Sequence, residues 1–171
     1  ADPLEIELQG GATFWLRGVI DRIDRGADGE FVVWDYKTGS TYGYHDHGYL
    51  KQGRQVQHAL YAMAAEEILR QSGEKDPQVR WAGYYFPTER GEGKRILRDQ
   101  LNRHQVRETL GHLFDLLREG VFPAAEDGNS CRYCDYREVC GQEKAVLRTK
   151  EVLKTNPEDY LAPWRRLRAI E

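Results

Sequence analysis

The chain has 171 residues, a formal net charge of −3, and 31% charged against 40% hydrophobic residues, a balance that supports one ordinary globular core and excludes a low-complexity or disordered chain. No apolar run approaches the roughly 20 residues of a membrane span and no leader is visible, which predicts a cytoplasmic protein with no membrane partner. The slight acidity also excludes a general sheath of positive potential, so contact with nucleic acid has to rest on local patches.

Leu4-Glu5-Ile6-Glu7-Leu8 alternates apolar and acidic residues like a half-buried strand. It opens abruptly, so we expect elements upstream of Ala1 in a longer protein. Gln9-Gly10-Gly11 is a turn signal, and Ala12 to Ile23 reads as a second strand. Two runs rich in β-branched and aromatic residues then flank Gly26-Ala27-Asp28-Gly29, which predicts a hairpin. A three-residue loop centred on Asp28 makes partner positions sum to 56. Asp21 and Asp35 then face each other with Cβ atoms roughly 4.5–5.5 Å apart. Lys37, two residues on, shares the face of Asp35 by strand alternation.

Thr38 to Gly53 is a loop rich in Gly, Tyr and His. Helical periodicity runs from near Lys51 to about Gln71, with Val56, Leu60, Met63, Ala64, Ile68 and Leu69 on its apolar side and Ser72-Gly73 as its stop. Val79 to Phe86 reads as a strand closed by Pro87, and Ile96-Leu97 as a short apolar piece. A helix follows over about Asp99 to Glu119, carrying Leu101, Val106, Leu110, Leu113, Phe114 and Leu117 and capped by Gly120. Beyond Pro123 comes an irregular segment, then a helical tail from Gln142 to about Lys154 and a last turn at Trp164 to Arg168. This order predicts an α/β fold with a mixed central β-sheet flanked by helices. The division falls between a core over 1–122 and a cysteine-bearing segment with its tail over 123–171.

Like charges facing each other across strands destabilise a sheet unless something positive lies between them. A divalent cation with an adjacent lysine does this, and Asp21, Asp35 and the carbonyl of Tyr36 are oxygen donors suited to Mg²⁺ or Mn²⁺. Lys37 is then placed to orient a water or offset phosphate charge. The alternative is plain surface pairing of the two aspartates with Arg22, Arg25 or Lys37. Asp24, on the opposite strand face, reads as structural. Gln57 and Tyr61 are four apart, so they share a helix face and can reach a phosphate, a water or a base. Arg22 and Arg54 are candidate phosphate contacts, whereas Arg165, Arg166 and Arg168 read equally well as surface charge. His45-Asp46-His47 fits a solvated loop better than a metal site; His58 adjoins Gln57 on the helix but points about 100° away from it, and His104 and His112 read as ordinary helix residues.

All three cysteines lie in Cys131-x2-Cys134-x5-Cys140. Zinc, an iron–sulfur cluster and redox chemistry all use such spacing, and an odd cluster in a reducing compartment argues against disulfides.

Taken together, Gly18-x-x-Asp21-Arg22-Ile23-Asp24, Asp35-Tyr36-Lys37-Thr38-Gly39 and Gln57-x3-Tyr61 resemble the ordered motifs of the PD-(D/E)XK nuclease superfamily. The resemblance spans roughly residues 12 to 141 and is to the RecB-like branch, which includes AddB-type and CRISPR-adaptation exonucleases. It implies a restriction-endonuclease-like core and a metal-dependent DNA nuclease acting on ends or single strands, serving recombination or repair beside a helicase. Asp21 and Asp35 become metal ligands by motif position, Lys37 the catalytic lysine, and Gln57 and Tyr61 the helical motif beside them. The cysteine triplet is similar to that branch's C-terminal triplet, which joins a far-upstream cysteine to hold a 4Fe–4S cluster. That fourth cysteine is not in this sequence, so we expect the cluster in the full-length protein. A nuclease-like module that binds DNA or assembles a helicase complex without cleaving is the other function this pattern allows.

Overall fold

A computed structural model of the chain describes residues 3–8, 11–44, 49–101, 103–124, 131–132, 134–155 and 160–170. His45-Asp46-His47 and Asp127-Gly128-Asn129 lie outside them. Two compact units form, one of Ala1–Gly111 with Ile170–Glu171 and one of His112–Ala169.

The first unit holds two sheets. Strands β1 (Leu4–Glu7) and β2 (Thr13–Leu16) pair antiparallel in a two-stranded sheet. Strands β3 (Arg22–Arg25), β4 (Phe31–Tyr36), β5 (Val79–Tyr85) and β6 (Arg95–Asp99) form a four-stranded sheet in the order β3-β4-β5-β6. The β4–β5 pair is parallel and its neighbours are antiparallel. With helix α1 (Gln57–Gln71) connecting β4 to β5, this is the expected mixed α/β sheet.

The hairpin has the expected register. Arg22 pairs with Trp34 and Arg25 with Phe31, so partners sum to 56. Gly26 N–H donates to the Glu30 carbonyl at 2.7 Å, leaving Ala27, Asp28 and Gly29 as the loop. Gly29 takes φ +87°, the left-handed position that ends such a turn. The strand expected over Ala12 to Ile23 is instead two strands in two sheets. Its break at Arg17–Asp21 contains Gly18 and ends where the side chain of Asp21 takes over a ladder bond, as described below.

Helix α1 starts six residues later than its periodicity indicates. Lys51, Gln52 and Gly53 have φ of 45°, 57° and 79°, left-handed values no α-helix accommodates. Its stop is as expected, with Ser72 at the C-cap and Gly73 at φ 99°. The face turned to the core is only partly the expected one, with Ala64 buried and Leu69 packed against the core as expected. Ala59, Ala62, Ala64, Ala65 and His58 are buried, while Ile68 is 43% exposed. Small side chains let the helix approach the sheet, and Ala62 and Ala65 pack with Phe31, Val33, Val79 and Ala82.

Helix α2 (Arg103–Arg118) begins after the expected Asp99 because Asp99 closes β6, its carboxylate accepting the Leu101 N–H at 2.8 Å. Glu66 of α1 ties these elements together. Its Oε1 accepts the Val79 N–H at 2.8 Å and Arg103 Nη2 at 2.7 Å. Glu66→Ala is expected to lower unfolding free energy by about 2 kcal/mol, since it strands a backbone donor and a half-buried guanidinium. An unchanged urea midpoint would contradict this brace.

The second unit continues α2 and holds α3 (Arg137–Cys140), α4 (Glu143–Thr155) and α5 (Ala162–Ala169). Among the described residues no helix is long and apolar enough to cross a membrane.

Candidate active site

The chemistry-bearing residues gather at the C-terminal end of β4 and the first turn of α1. Phe31, Val33 and Asp35 alternate onto the α1 side of the sheet. The first two fill the core, and the third carries a carboxylate to the core's rim with only 6% exposure. Asp35 Oδ1 accepts a hydrogen bond from Gln57 Nε2 at 3.1 Å, and Oδ2 lies 2.5 Å from Lys37 Nζ. Lys37 Nζ donates to Gln57 Oε1 at 3.1 Å, and Gln57 Nε2 also reaches the Tyr61 hydroxyl at 3.1 Å. Asp35, Lys37, Gln57 and Tyr61 therefore form one connected set. Strand alternation brings Lys37 to Asp35, and the four-residue helical repeat brings Tyr61 to Gln57.

Asp21 joins differently from the facing pair expected. The β3–β4 ladder ends at Arg22 and Trp34. Continued by one more bond, it would give the Tyr36 N–H to the carbonyl of residue 20. The Asp21 carboxylate takes that N–H instead, Oδ2 to N at 2.7 Å. A strand residue points its N–H and C=O toward the same neighbour. The Tyr36 carbonyl therefore opens on the Asp21 side.

The donor set fits a hard divalent cation. Asp35 Oδ2 is buried and accepts no hydrogen bond of acceptable angle, despite its short ion pair with Lys37. A buried carboxylate oxygen needs a positive partner, which here is the Lys37 ammonium and, with metal bound, would be the cation. Asp21, Asp35 and the Tyr36 carbonyl supply oxygen only, the preference of Mg²⁺ and Mn²⁺. Among the described residues no group of three or more His, Cys, Asp or Glu is gathered to hold a metal ion. A cation held here would therefore rest on two carboxylates and a carbonyl.

The two arginine candidates are not part of this set. Arg22 alternates to the opposite sheet face, where its Nε donates to Asp24 Oδ1 at 2.6 Å, and Asp24 Oδ2 accepts from Trp34 Nε1 at 3.0 Å. Asp24 is structural, as its strand face requires. Arg54 is exposed and lies beside a pocket that Gln57 also borders.

Beneath the site lies a buried polar network that the sequence does not announce. His58, 1% exposed, donates from Nε2 to the Tyr49 carbonyl at 2.8 Å and accepts from Gln100 Nε2 at Nδ1, 3.2 Å away. Tyr49 Oη in turn donates to Gln100 Oε1 at 2.9 Å. The imidazole meets the Tyr84 ring edge-on at 6.3 Å, and that ring lies 5.6 Å from Lys37 Nζ. Burial raises the Tyr84 hydroxyl above its usual range and Tyr49 to about 12, so both remain protonated donors. Burial lowers His58 to about 4 from 6.5. Its folded-state value lies below the unfolded one, so the unfolded chain binds the extra proton. Stability is then full above pH 6.5 and falls as pH drops toward 4, by about 3 kcal/mol at most. Urea midpoints from pH 7.5 to 4 are expected to fall more steeply for the wild type than for His58→Gln; parallel profiles would contradict this.

In the second unit, Cys131 and Cys134 are half-buried free thiols and Cys140 is an exposed one. All three border a single cavity of about 860 Å³, with Phe122, Tyr136 and Leu161. They share its wall without converging as a metal-binding group, so the triplet as placed does not form a cluster site.

A family model described as the PD-(D/E)XK nuclease superfamily matches residues 1–141. No curated protein and no solved structure matches the chain.

Proposed function

The chain belongs to the PD-(D/E)XK nuclease superfamily, and from that membership we propose that it hydrolyses phosphodiester bonds of DNA with a divalent cation held by Asp21, Asp35 and the Tyr36 carbonyl. The observation that carries this is the connected set Asp35–Lys37–Gln57–Tyr61, with one buried carboxylate oxygen lacking a hydrogen bond. The bound cation supplies Lewis acidity toward a phosphate oxygen and a more acidic water.

The protein's own groups do the rest. Asp21 keeps one carboxylate oxygen on the Tyr36 N–H, which fixes the direction in which the other points. Asp35 is held by Gln57 through Oδ1, so Oδ2, now paired with Lys37, is the oxygen that would coordinate. Lys37, steadied by Gln57 Oε1, presents its ammonium to a phosphate oxygen or to the attacking water. Tyr61 accepts from Gln57 and retains its own proton for a phosphate oxygen.

The motif order supports a RecB-like exonuclease in recombination or repair, working on ends or single strands beside a helicase. Time courses with end-labelled and internally labelled DNA, and with RNA of the same sequence, test this. Mononucleotide release from DNA ends is the expected result. Cleavage of RNA alone, or of closed circles as fast as of ends, would contradict it.

The sequence spacing Cys131-x2-Cys134-x5-Cys140 is what suggests a structural 4Fe–4S cluster; the three thiols as placed do not converge, and a fourth ligand would have to come from elsewhere. Visible absorption with matching iron and sulfide in an anaerobic preparation is expected, and a colourless, iron-free protein would refute it. One observation favours the second reading, a DNA-binding module without hydrolysis: no third acid joins Asp21 and Asp35 among the described residues. Tight DNA binding without cleavage in either metal would establish it.

A further inference from the structure

Gln57 faces the carboxylate set on one side and, on the other, borders a pocket of about 320 Å³. Tyr42, Gly43, Tyr44, Lys51, Arg54, Gln55 and Tyr84 complete its lining, and none of the described lining residues is acidic. Resting on the hydrolase reading above, we infer that this pocket is a subsite for the nucleotide adjoining the reacting phosphate: Lys51 and Arg54 hold its phosphate, Tyr42 stacks its base, and the strand in the site is single.

Three features of the pocket carry the assignment. The first is the state of Tyr42, a ring that is 90% exposed on a turn that is itself pinned. The carbonyl of Gly43 accepts from Gln55 Nε2 at 2.7 Å and Lys51 Nζ at 3.0 Å. Tyr44 N–H donates to the Thr41 carbonyl at 3.0 Å, and Arg98 donates to the Tyr44 carbonyl at 3.0 Å. The Tyr44 ring is wedged against Tyr84 and Phe86, with centroids at 4.6 and 5.3 Å. An aromatic ring held out in water by so firm a base is a preorganised stacking platform, and stacking accepts any base.

The second is the left-handed turn at Lys51–Gly53. Lys51 and Gln52 hold positive φ, a conformation that side-chain-bearing residues adopt only when their surroundings enforce it. Here Arg54 N–H bonds back to the Lys51 carbonyl at 3.1 Å and Gln55 N–H to the Leu50 carbonyl at 3.0 Å. The reversal brings two cationic residues three apart to one rim.

The third is continuity. Gln57 and Tyr84 belong to both places, Tyr84 lying under Lys37 on one side and lining the pocket on the other. With Gln57 and Tyr84 shared, a strand whose phosphate meets Lys37 would place a neighbouring phosphate at the Lys51–Arg54 rim. Base stacking requires an unpaired base, which makes the preference single-stranded.

The test is fluorescence anisotropy of a labelled mixed-sequence single-stranded oligonucleotide in EDTA over a range of salt, with cleavage in Mg²⁺ measured alongside. Tyr42→Ala is expected to weaken binding about tenfold, and Tyr42→Phe to bind within about twofold of wild type because the ring is kept. Arg54→Ala is expected to reduce the slope of log K against log salt by about 0.7, the value for one phosphate contact on a single strand. A blunt duplex competitor should distinguish none of the Tyr42 variants. All three side-chain changes are at exposed positions, and matching thermal transitions would verify folding. Binding by Tyr42→Ala equal to wild type, or a slope unchanged in Arg54→Ala, overturns the subsite. If wild type binds and cleaves while the variants are indifferent, only the subsite falls. If wild type neither binds nor cleaves, the hydrolase reading falls with it.

Discussion

Replacing Asp35 by Asn is expected to reduce DNA cleavage about 10³-fold, roughly 4 kcal/mol of transition-state stabilisation, and to lower stability through loss of its buried ion pair with Lys37. The two halves of that expectation come from the same atom. Oδ2 of Asp35 is buried and lies 2.5 Å from Lys37 Nζ, so its charge both pairs with the ammonium and is available to a metal. An amide that keeps its oxygen on Gln57 Nε2 turns its NH2 toward the Lys37 ammonium, donor against donor. A residue retained for structure alone would lose stability and spare the rate. Lys37→Ala is expected to lower the rate by about 10²-fold or more, because its ammonium reaches Asp35 and Gln57 from a fixed position. Undiminished cleavage by either variant would remove these residues from the site. Thermal unfolding of both proteins, measured with and without Mg²⁺, separates the effects: added metal should stabilise wild type and leave Asp35→Asn unmoved.

Gly83→Ala is expected to be the most damaging single methyl in the sheet. A Cβ at Gly83 would lie 2.0 Å from the Ile96 carbonyl oxygen and 2.9 Å from the Ile96 carbonyl carbon and Leu97 Cα. All three are backbone atoms of the paired strand, so no rotamer relieves the clash, and β5 and β6 must separate. A loss of about 3 kcal/mol or more follows, at the upper end of the cost of overpacking. Because Tyr84 under Lys37 is the adjacent residue, the variant should also lose activity at temperatures where it remains folded. A urea midpoint within error of wild type would show that the strands meet differently.

The site was legible wherever it depended on local repeats. A two-residue period places Lys37 beside Asp35, a four-residue period places Tyr61 beside Gln57, and Gly29 closes a loop whose length sets the pairing of Arg22 with Trp34. The fold class followed from the order of strands and helices. What stayed hidden depended on where regular structure stops or on partners far apart in the chain. Asp21 looked like a strand residue facing Asp35, yet the ladder ends beside it and its carboxylate replaces a backbone acceptor. The break between β2 and β3 has no proline to announce it. The buried face of α1 is made of alanines, whose weak hydropathy is outweighed in any periodic pattern by Leu60, Met63 and Ile68. His58 and Gln100 meet across 42 positions, and neither has a neighbour in sequence that marks it as buried. Lys51 and Gln52 sit in left-handed conformations that favour glycine, so the periodicity there pointed to helix.

The measurement that bears most directly on the site is cleavage of labelled DNA by the wild-type protein and by Asp21→Ala, each in Mg²⁺, in Mn²⁺ and in EDTA. The expected result is strand hydrolysis by wild type in either metal, none in EDTA, and a rate for Asp21→Ala lower by about 10²-fold or more at saturating metal. Hydrolysis that persists in EDTA, or that proceeds equally well without the Asp21 carboxylate, would contradict a cation held between Asp21 and Asp35.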